Sequence, residues 1–272
     1  MIEASAVGLQ RSGKHLLNNA SLRLSSGEFV AIVGPNGAGK TSLLRVLSGE
    51  QAPDAGTVRL DGTDLHRWVP RLLACRRAVL PQETLLDFPL SALEVVLMGR
   101  MPHGRSARDR QFAMEALHQA DAAHLAHRIY PTLSGGERQR VQLARVLCQL
   151  RDDSAAGPGY LLLDEPTAAL DLAHQHALLR TVRNLVRSGC GALAILHDLN
   201  LAAQFADRIV VMDTGRIVAE GDPETILNPT LIREVYHVDS IVTRHPCLAV
   251  PYVIPLPETS THLQNRTAAA FA

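Results

Sequence analysis

Gly34-Pro35-Asn36-Gly37-Ala38-Gly39-Lys40-Thr41 is the stretch whose reading decides the fold. It fits the phosphate-cradling pattern G-x-x-x-x-G-K-[ST], and its flanks suit that pattern. Before it, Phe29-Val30-Ala31-Ile32-Val33 is short, apolar throughout and β-branched, which predicts a buried parallel strand. After it, Thr41-Ser42-Leu43-Leu44-Arg45-Val46-Leu47 carries apolar residues at helical spacing, so the loop feeds a helix N-terminus. The glycines let successive backbone N–H groups turn inward around phosphate oxygens, and the helix dipole adds positive potential. Lys40 is then placed to reach the β- and γ-phosphates and the Thr41 hydroxyl to ligate Mg²⁺. Residues 34–42, Ser42 included, are therefore expected to bind a nucleotide.

Two further strands end in chemistry. Tyr160-Leu161-Leu162-Leu163 predicts a buried parallel strand running into Asp164-Glu165. Paired carboxylates at such a place are costly unless something positive waits there. Mg²⁺ is the expected partner of Asp164, which leaves Glu165 to polarise a water. Ala192-Leu193-Ala194-Ile195-Leu196 predicts another strand, ending in His197-Asp198. A lone histidine is usually structural, but Gly34, Asp164 and His197 all follow the carboxyl ends of predicted parallel strands. Open α/β sheets place their ligands at that edge.

The helix beginning after Leu133-Ser134-Gly135-Gly136-Glu137 allows two readings. Ser134 and Glu137 form a capping-box pair ahead of Leu143, Val146, Leu147 and Leu150, as in any capped amphipathic helix. Alternatively, the two glycines beside the capping Ser134 leave free amides facing outward, which is an anion site.

Residues 2–33 predict a β-rich region, and Thr57–Leu60 with Asp61-Gly62 a further strand and turn. Ala78-Val79-Leu80 is strand-like and stops at Pro81-Gln82. From about residue 84 the pattern turns helical. Leu93–Gly99 predicts a helix ending at the glycine, Ser106 a helix start with Asp109 three residues on, and Phe112, Ala116, Leu117 and Ala120 one apolar stripe. This span is too long for a simple crossover, which points to an inserted helical subdomain. Arg151–Gly159 predicts a surface loop, Ile209–Met212 and Ile217–Ala219 two strands joined by Thr214-Gly215, and Asp222-Pro223-Glu224 a short helix start. Beyond Val238 the signal fades, and Glu258–Ala272 is expected to fray.

Composition bounds the possibilities. The 272 residues carry 27 Lys+Arg against 27 Asp+Glu, so a basic nucleic-acid-binding face is not expected. The N-terminus has no basic-then-apolar leader pattern, and no run of eighteen apolar residues predicts a membrane span. Cys75, Cys148, Cys190 and Cys247 have no paired spacing for zinc or redox work and are expected to be reduced thiols.

With these residues in view, the chain resembles the ATP-binding subunits of ATP-binding-cassette transporters from residue 2 to about 250. The ordered set carries the resemblance: Gly34–Thr41 (Walker A), Gln82 (Q-loop), Leu133–Glu137 (signature), Tyr160–Asp164 with Glu165 (Walker B and catalytic acid), Asp171 (D-loop) and His197 (switch). The resemblance implies an α/β P-loop NTPase (RecA-like) core, an N-terminal antiparallel β region and an inserted helical subdomain. Residues 1–83 and 151–240 would form the nucleotide-binding core, 84–150 the helical subdomain carrying the signature, and 241–272 a partly disordered C-terminal extension.

It also implies the working parts. ATP and Mg²⁺ would be held by residues 34–42, with Thr41, Asp164 and Gln82 about the metal and Glu165, Gln82 and His197 in the hydrolytic step. Two copies would pair head to tail, so that Ser134, Gly135 and Gly136 of one meet the γ-phosphate held by the other, with Asp171 beside them. That decides between the two readings of Ser134. The homodimer would sit on the cytoplasmic face of the inner membrane with two copies of a multi-span permease, fed by a periplasmic binding protein, and without nucleic acid as a partner. Gln82-Glu83, Phe88-Pro89 and Val95–His103 resemble the branch importing iron chelates, cobalamin and haem. Asp171-Leu172-Ala173-His174-Gln175-His176 with the long loop before Tyr160 is most similar to haem importer subunits.

Two positions depart from the family pattern. No aromatic residue precedes the Walker A strand to stack on adenine, and Arg11, from Leu9-Gln10-Arg11, is the expected substitute. The D-loop reads Ala168-Ala169-Leu170-Asp171, without the common serine. A soluble cassette ATPase acting on DNA or ribosomes is the rival, but neither tandem cassettes nor long heptads are present. A P-loop kinase or small GTPase leaves Leu133–Glu137 and His197 without a role.

Overall fold

The computed structural model describes residues 1–82, 86–151 and 159–257. At its centre lie five parallel strands: β3 (Phe29–Val33), β6 (Arg77–Leu80), β7 (Tyr160–Leu163), β8 (Gly191–Ile195) and β9 (Arg208–Asp213). With β10 (Arg216–Gly221), antiparallel to β9, they form a sheet of order β10-β9-β3-β8-β7-β6. All residues of β3, β7 and β8 are buried, the outcome expected of continuous apolar runs covered on both faces.

Each face has its own cover. A second, antiparallel sheet of order β2-β1-β4-β5 is built from β1 (Ile2–Arg11), β2 (Lys14–Leu24), β4 (Ala55–Leu60) and β5 (Thr63–Asp64). Its Ile2, Leu9, Leu17 and Leu24 join Leu43, Leu44 and Leu47 of α1 (Lys40–Ser48) over Val30, Ile32 and Ile195. The opposite face, with Phe29, Ala31, Val33, Leu161 and Leu163, packs against helices. These include α6 (Leu172–Arg187), α7 (Leu199–Phe205) and the insertion between β6 and β7. The short α2 (Pro70–Arg76) leads into β6.

That insertion holds α3 (Ala92–Leu97), α4 (Asp109–Gln119) and α5 (Gly135–Leu150). Helix α3 does not stop at Gly99: it tightens into a 3-10 helix over Met98–His103. Arg100, buried there, donates to the carbonyls of Cys148 (3.0 Å) and Arg151, while His103 Nε2 contacts the Gln149 carbonyl at 2.7 Å. The segment thereby satisfies carbonyls that the end of α5 leaves open. Nor does Ser106 cap α4. The helix begins at Asp109, whose carboxylate accepts from the Ser106 amide at 2.8 Å.

After β10 come α8 (Pro223–Ile226), α9 (Pro229–Tyr236) and a hairpin of β11 (Ser240–Arg244) with β12 (Pro251–Pro255). The hairpin lies in the span where the sequence signal fades. The expected loop interior at 152–158 and the expected tail at 258–272 lie outside the described residues.

Candidate functional site

The carboxyl ends of β3, β6, β7 and β8 supply the site. The backbone turns sharply at Gly34, where φ is +145°. A side chain there would start 2.1 Å from the Met212 carbonyl oxygen on the adjacent β9, so the loop leaves β3 in contact with its neighbour strand. Lys40, buried, donates from Nζ to the carbonyls of Gly34 (2.7 Å) and Pro35 (2.8 Å). Burial lowers its pKa, against the opposing pull of the Glu165 and Asp164 carboxylates. An ammonium held by two carbonyls and more loosely by anions is well suited to a phosphate.

Thr41 Oγ1 donates to Asp164 Oδ1 at 3.2 Å, which joins the start of α1 to the end of β7. Burial pushes the Asp164 carboxyl above its usual range, partly offset by the Thr41 hydrogen bond. Two hard oxygen donors side by side, one of them a carboxylate short of positive charge, fit Mg²⁺, which takes few protein ligands and completes its shell with phosphate and water.

Next along the chain, Glu165 has φ +49°, a conformation that costs a non-glycine residue on the order of 1–3 kcal/mol. Its carboxylate is bracketed from two other strand ends. Gln82 Nε2 donates to Oε2 at 2.8 Å, and His197 Nε2 lies 2.8 Å from Oε1. The structure thus gathers Gly34–Thr41, Gln82, Asp164, Glu165 and His197 at one sheet edge. Ser42 follows on the first turn of α1.

Other expected residues stand elsewhere. Ser134 caps α5 in a reciprocal arrangement with Glu137: Ser134 N donates to Oε2 (2.8 Å) and Glu137 N to the Ser134 hydroxyl (3.3 Å). Ser134 and Gly135 are exposed, so this helix start faces outward. Asp171 caps α6, accepting from His174 N (2.9 Å), and that bond holds its carboxyl below the usual range. His174 Nδ1 lies 2.6 Å from Asp171 Oδ1, and the His176 ring meets Phe205 edge-on. Arg11, at the end of β1, donates to the Gln10 carbonyl (2.7 Å) and to Asp54 (3.3 Å).

Sequence reasoning missed Tyr236, at the end of α9. Burial raises its phenol, and a hydrogen bond from the Gly34 backbone opposes that shift. The capping Asn228 with Pro229 at the first helical position was the available signal for α9.

The chain is similar to known proteins over nearly its whole length. The family profile described as ABC transporter matches residues 17–168. A protein of Gloeobacter violaceus named Hemin import ATP-binding protein HmuV is 49% identical, with 96% of each chain covered. A Hahella chejuensis protein of the same name is 51% identical over 93% of this chain and 99% of its own. Among solved structures, one described as an inward-facing, metal-chelate type ABC transporter superposes with a TM-score of 0.79 at 26% identity, covering 95% of this chain and 98% of the other. A dimeric bacterial ABC transporter cassette gives 0.73 at 28% identity, covering 82% of this chain and 98% of the other.

Proposed function

Because this chain belongs to the ABC transporter family as an ATP-hydrolysing subunit, we propose that it energises the import of haem, or of a chemically close iron chelate, through a separate membrane permease. The observation that carries the hydrolytic part is Glu165, held between Gln82 and His197 beside the Thr41–Asp164 pair. The relatives' names carry the substrate.

Phosphoryl transfer to water is mainly positioning and electrostatics. Lys40 exchanges its two loop carbonyls for β- and γ-phosphate oxygens, and the backbone N–H groups of the loop, which Pro35 lacks, surround the rest. Thr41 and Asp164, with Gln82, would hold Mg²⁺, which neutralises charge on the phosphates when bound. Glu165 orients and deprotonates the attacking water. His197 holds Glu165 by one oxygen and is placed to meet the γ-phosphate. Arg11, its plane set by Asp54, lies against adenine.

Two copies pair head to tail, so that the exposed Ser134 and Gly135 of each, with Gly136 behind them, close over the other's γ-phosphate, with Asp171 at the same seam. Residues 1–83 and 151–240 act as the nucleotide-binding core, 84–150 as the arm bearing the signature and 241–272 as an appended C-terminal part. The dimer works on the cytoplasmic face of the inner membrane beneath two permease copies that receive substrate from a periplasmic binding protein.

The test is uptake by proteoliposomes that contain the purified permease complex, with ATP inside and substrate-loaded binding protein outside. Haem accumulation that requires ATP and stops with Glu165→Gln is expected. Uptake of cobalamin or a ferric siderophore in preference to haem would overturn the substrate, and no ATP dependence would overturn the role.

A further inference from the structure

Helix α7 begins two residues after His197, and its first turn is fastened twice. Asp198 Oδ1 accepts from the amides of Asn200 (2.7 Å) and Leu201 (3.1 Å), an N-cap that fixes the turn locally. The second fastening comes from more than fifty residues away. Asn200 Nδ2 donates to the Val253 carbonyl at 3.1 Å, and the Val253 amide donates to Asn200 Oδ1 at 2.7 Å. The side-chain amide thus pairs with the β12 backbone as a neighbouring strand would, and Val253 itself is buried in the helix-covered core.

Beside this clamp the contact is open. A cavity of about 210 Å³, lined by residues including His176, Asp198, Gln204, His245 and Tyr252, separates part of the hairpin from α6 and α7. Close packing therefore does not hold the whole first turn against the hairpin, and the paired amide supplies the definition there. Asn200 stands three residues from His197, whose ring must stay 2.8 Å from Glu165.

We infer that Asn200 is a positioning residue for ATP hydrolysis, holding His197 in register with Glu165 by clamping the first turn of α7 to the C-terminal hairpin at Val253. This rests on the role given above to His197. Asn200 touches neither nucleotide nor water in this account. Its loss should slow turnover while leaving ATP binding, which the Gly34–Thr41 loop carries, in place.

The experiment compares full-length wild type, His197→Ala, Asn200→Ala and the double variant. The readouts are kcat and KM for ATP, fluorescent-nucleotide affinity and melting temperature. Single-turnover conditions with enzyme in excess keep slow backgrounds measurable. Small misplacements of a catalytic group can cost up to about 10²-fold. For Asn200→Ala a drop of about tenfold in kcat, with KM and nucleotide affinity within about twofold, is the expected result. Because Asn200 acts through His197, it should cost almost nothing further in the His197→Ala background.

An unchanged kcat in Asn200→Ala, or the same tenfold loss in both backgrounds, would overturn the inference while leaving the hydrolytic site as described. Normal turnover by His197→Ala would overturn the role of His197 and this inference with it. If Asn200→Ala does not fold, Val253→Pro breaks the clamp from the hairpin side. Its lost N–H points at Asn200 rather than into the β11–β12 ladder, so the same kcat-only loss is expected and its absence counts against the clamp.

Discussion

Replacing Gly34 by alanine tests how tightly the nucleotide loop is built onto the sheet. The new Cβ would lie 2.1 Å from the Met212 carbonyl oxygen, where real side chains keep at least about 3.0 Å. Met212 cannot retreat, because β9 is paired to β3 on one side and β10 on the other. The loop must therefore move by about 1 Å, and it must do so at φ +145°, which alanine rarely adopts. Backbone strain of this kind is worth about 1–3 kcal/mol, and a 1 Å misplacement of a phosphate-positioning loop about 10²-fold in rate. Isothermal titration with an ATP analogue, steady-state ATPase and a thermal melt separate the two costs. Gly13→Ala is the control: Gly13 also has positive φ (+78°), but nothing lies within 4 Å of the added Cβ and the residue sits in the β1–β2 turn. It should lower the melting temperature slightly and leave turnover alone. Gly34→Ala with affinity and turnover within threefold of wild type would refute the argument.

Glu165→Gln should keep ATP binding and slow hydrolysis by about 10²–10⁴-fold, measured by phosphate release, the range expected of a general base. It should also accumulate an ATP-bound dimer on gel filtration. Ser134→Arg should leave nucleotide binding by the monomer intact, since residues 34–42 are untouched, but abolish ATP-driven dimerisation; tight nucleotide-dependent dimers of this variant would refute the shared site. Asp164→Asn should lower activity yet raise the melting temperature at pH 7. The sign follows from the Asp164 carboxyl, whose folded-state pKa is raised by burial. The folded state then binds its proton more tightly than the unfolded chain does, and stability is lost as pH rises from the unfolded value of 3.8 through the folded one. Asparagine removes that loss, so the gap between variant and wild type should close as pH falls toward 3.8; a gap independent of pH would contradict the assignment.

What the sequence disclosed was whatever depends on neighbours along the chain. Buried parallel strands announce themselves as unbroken apolar runs, and β3, β7 and β8 were all legible that way. The phosphate loop and the Ser134–Glu137 cap are likewise local. The left-handed backbone of Glu165 was not visible, because a glutamate carries no propensity for it and the surrounding strand ends impose it. The C-terminal hairpin was missed for a different reason. Ile241, Tyr252 and Ile254 lie exposed, so its strands show no clear alternation, and its attachment depends on an asparagine fifty-three residues away. The Gly99 helix stop was misplaced because Arg100 and His103 are recruited by the end of α5, a contact with no trace in local spacing.

Helix α5 has a mechanical consequence. Its sixteen residues make a rod about 24 Å long, and neither tip is free to fray. Ser134 and Glu137 lock one tip, while Arg100 and His103 grip the carbonyls of the other. Midway, Gln142 is pinned by the Tyr130 hydroxyl at 2.9 Å and by Arg145 at 2.6 Å. A helix whose ends could unwind would absorb a displacement within its last turn. This one must pass it on, so a force applied to Met98–His103 is delivered to Gly135 and Gly136 as a rigid thrust rather than dissipated on the way.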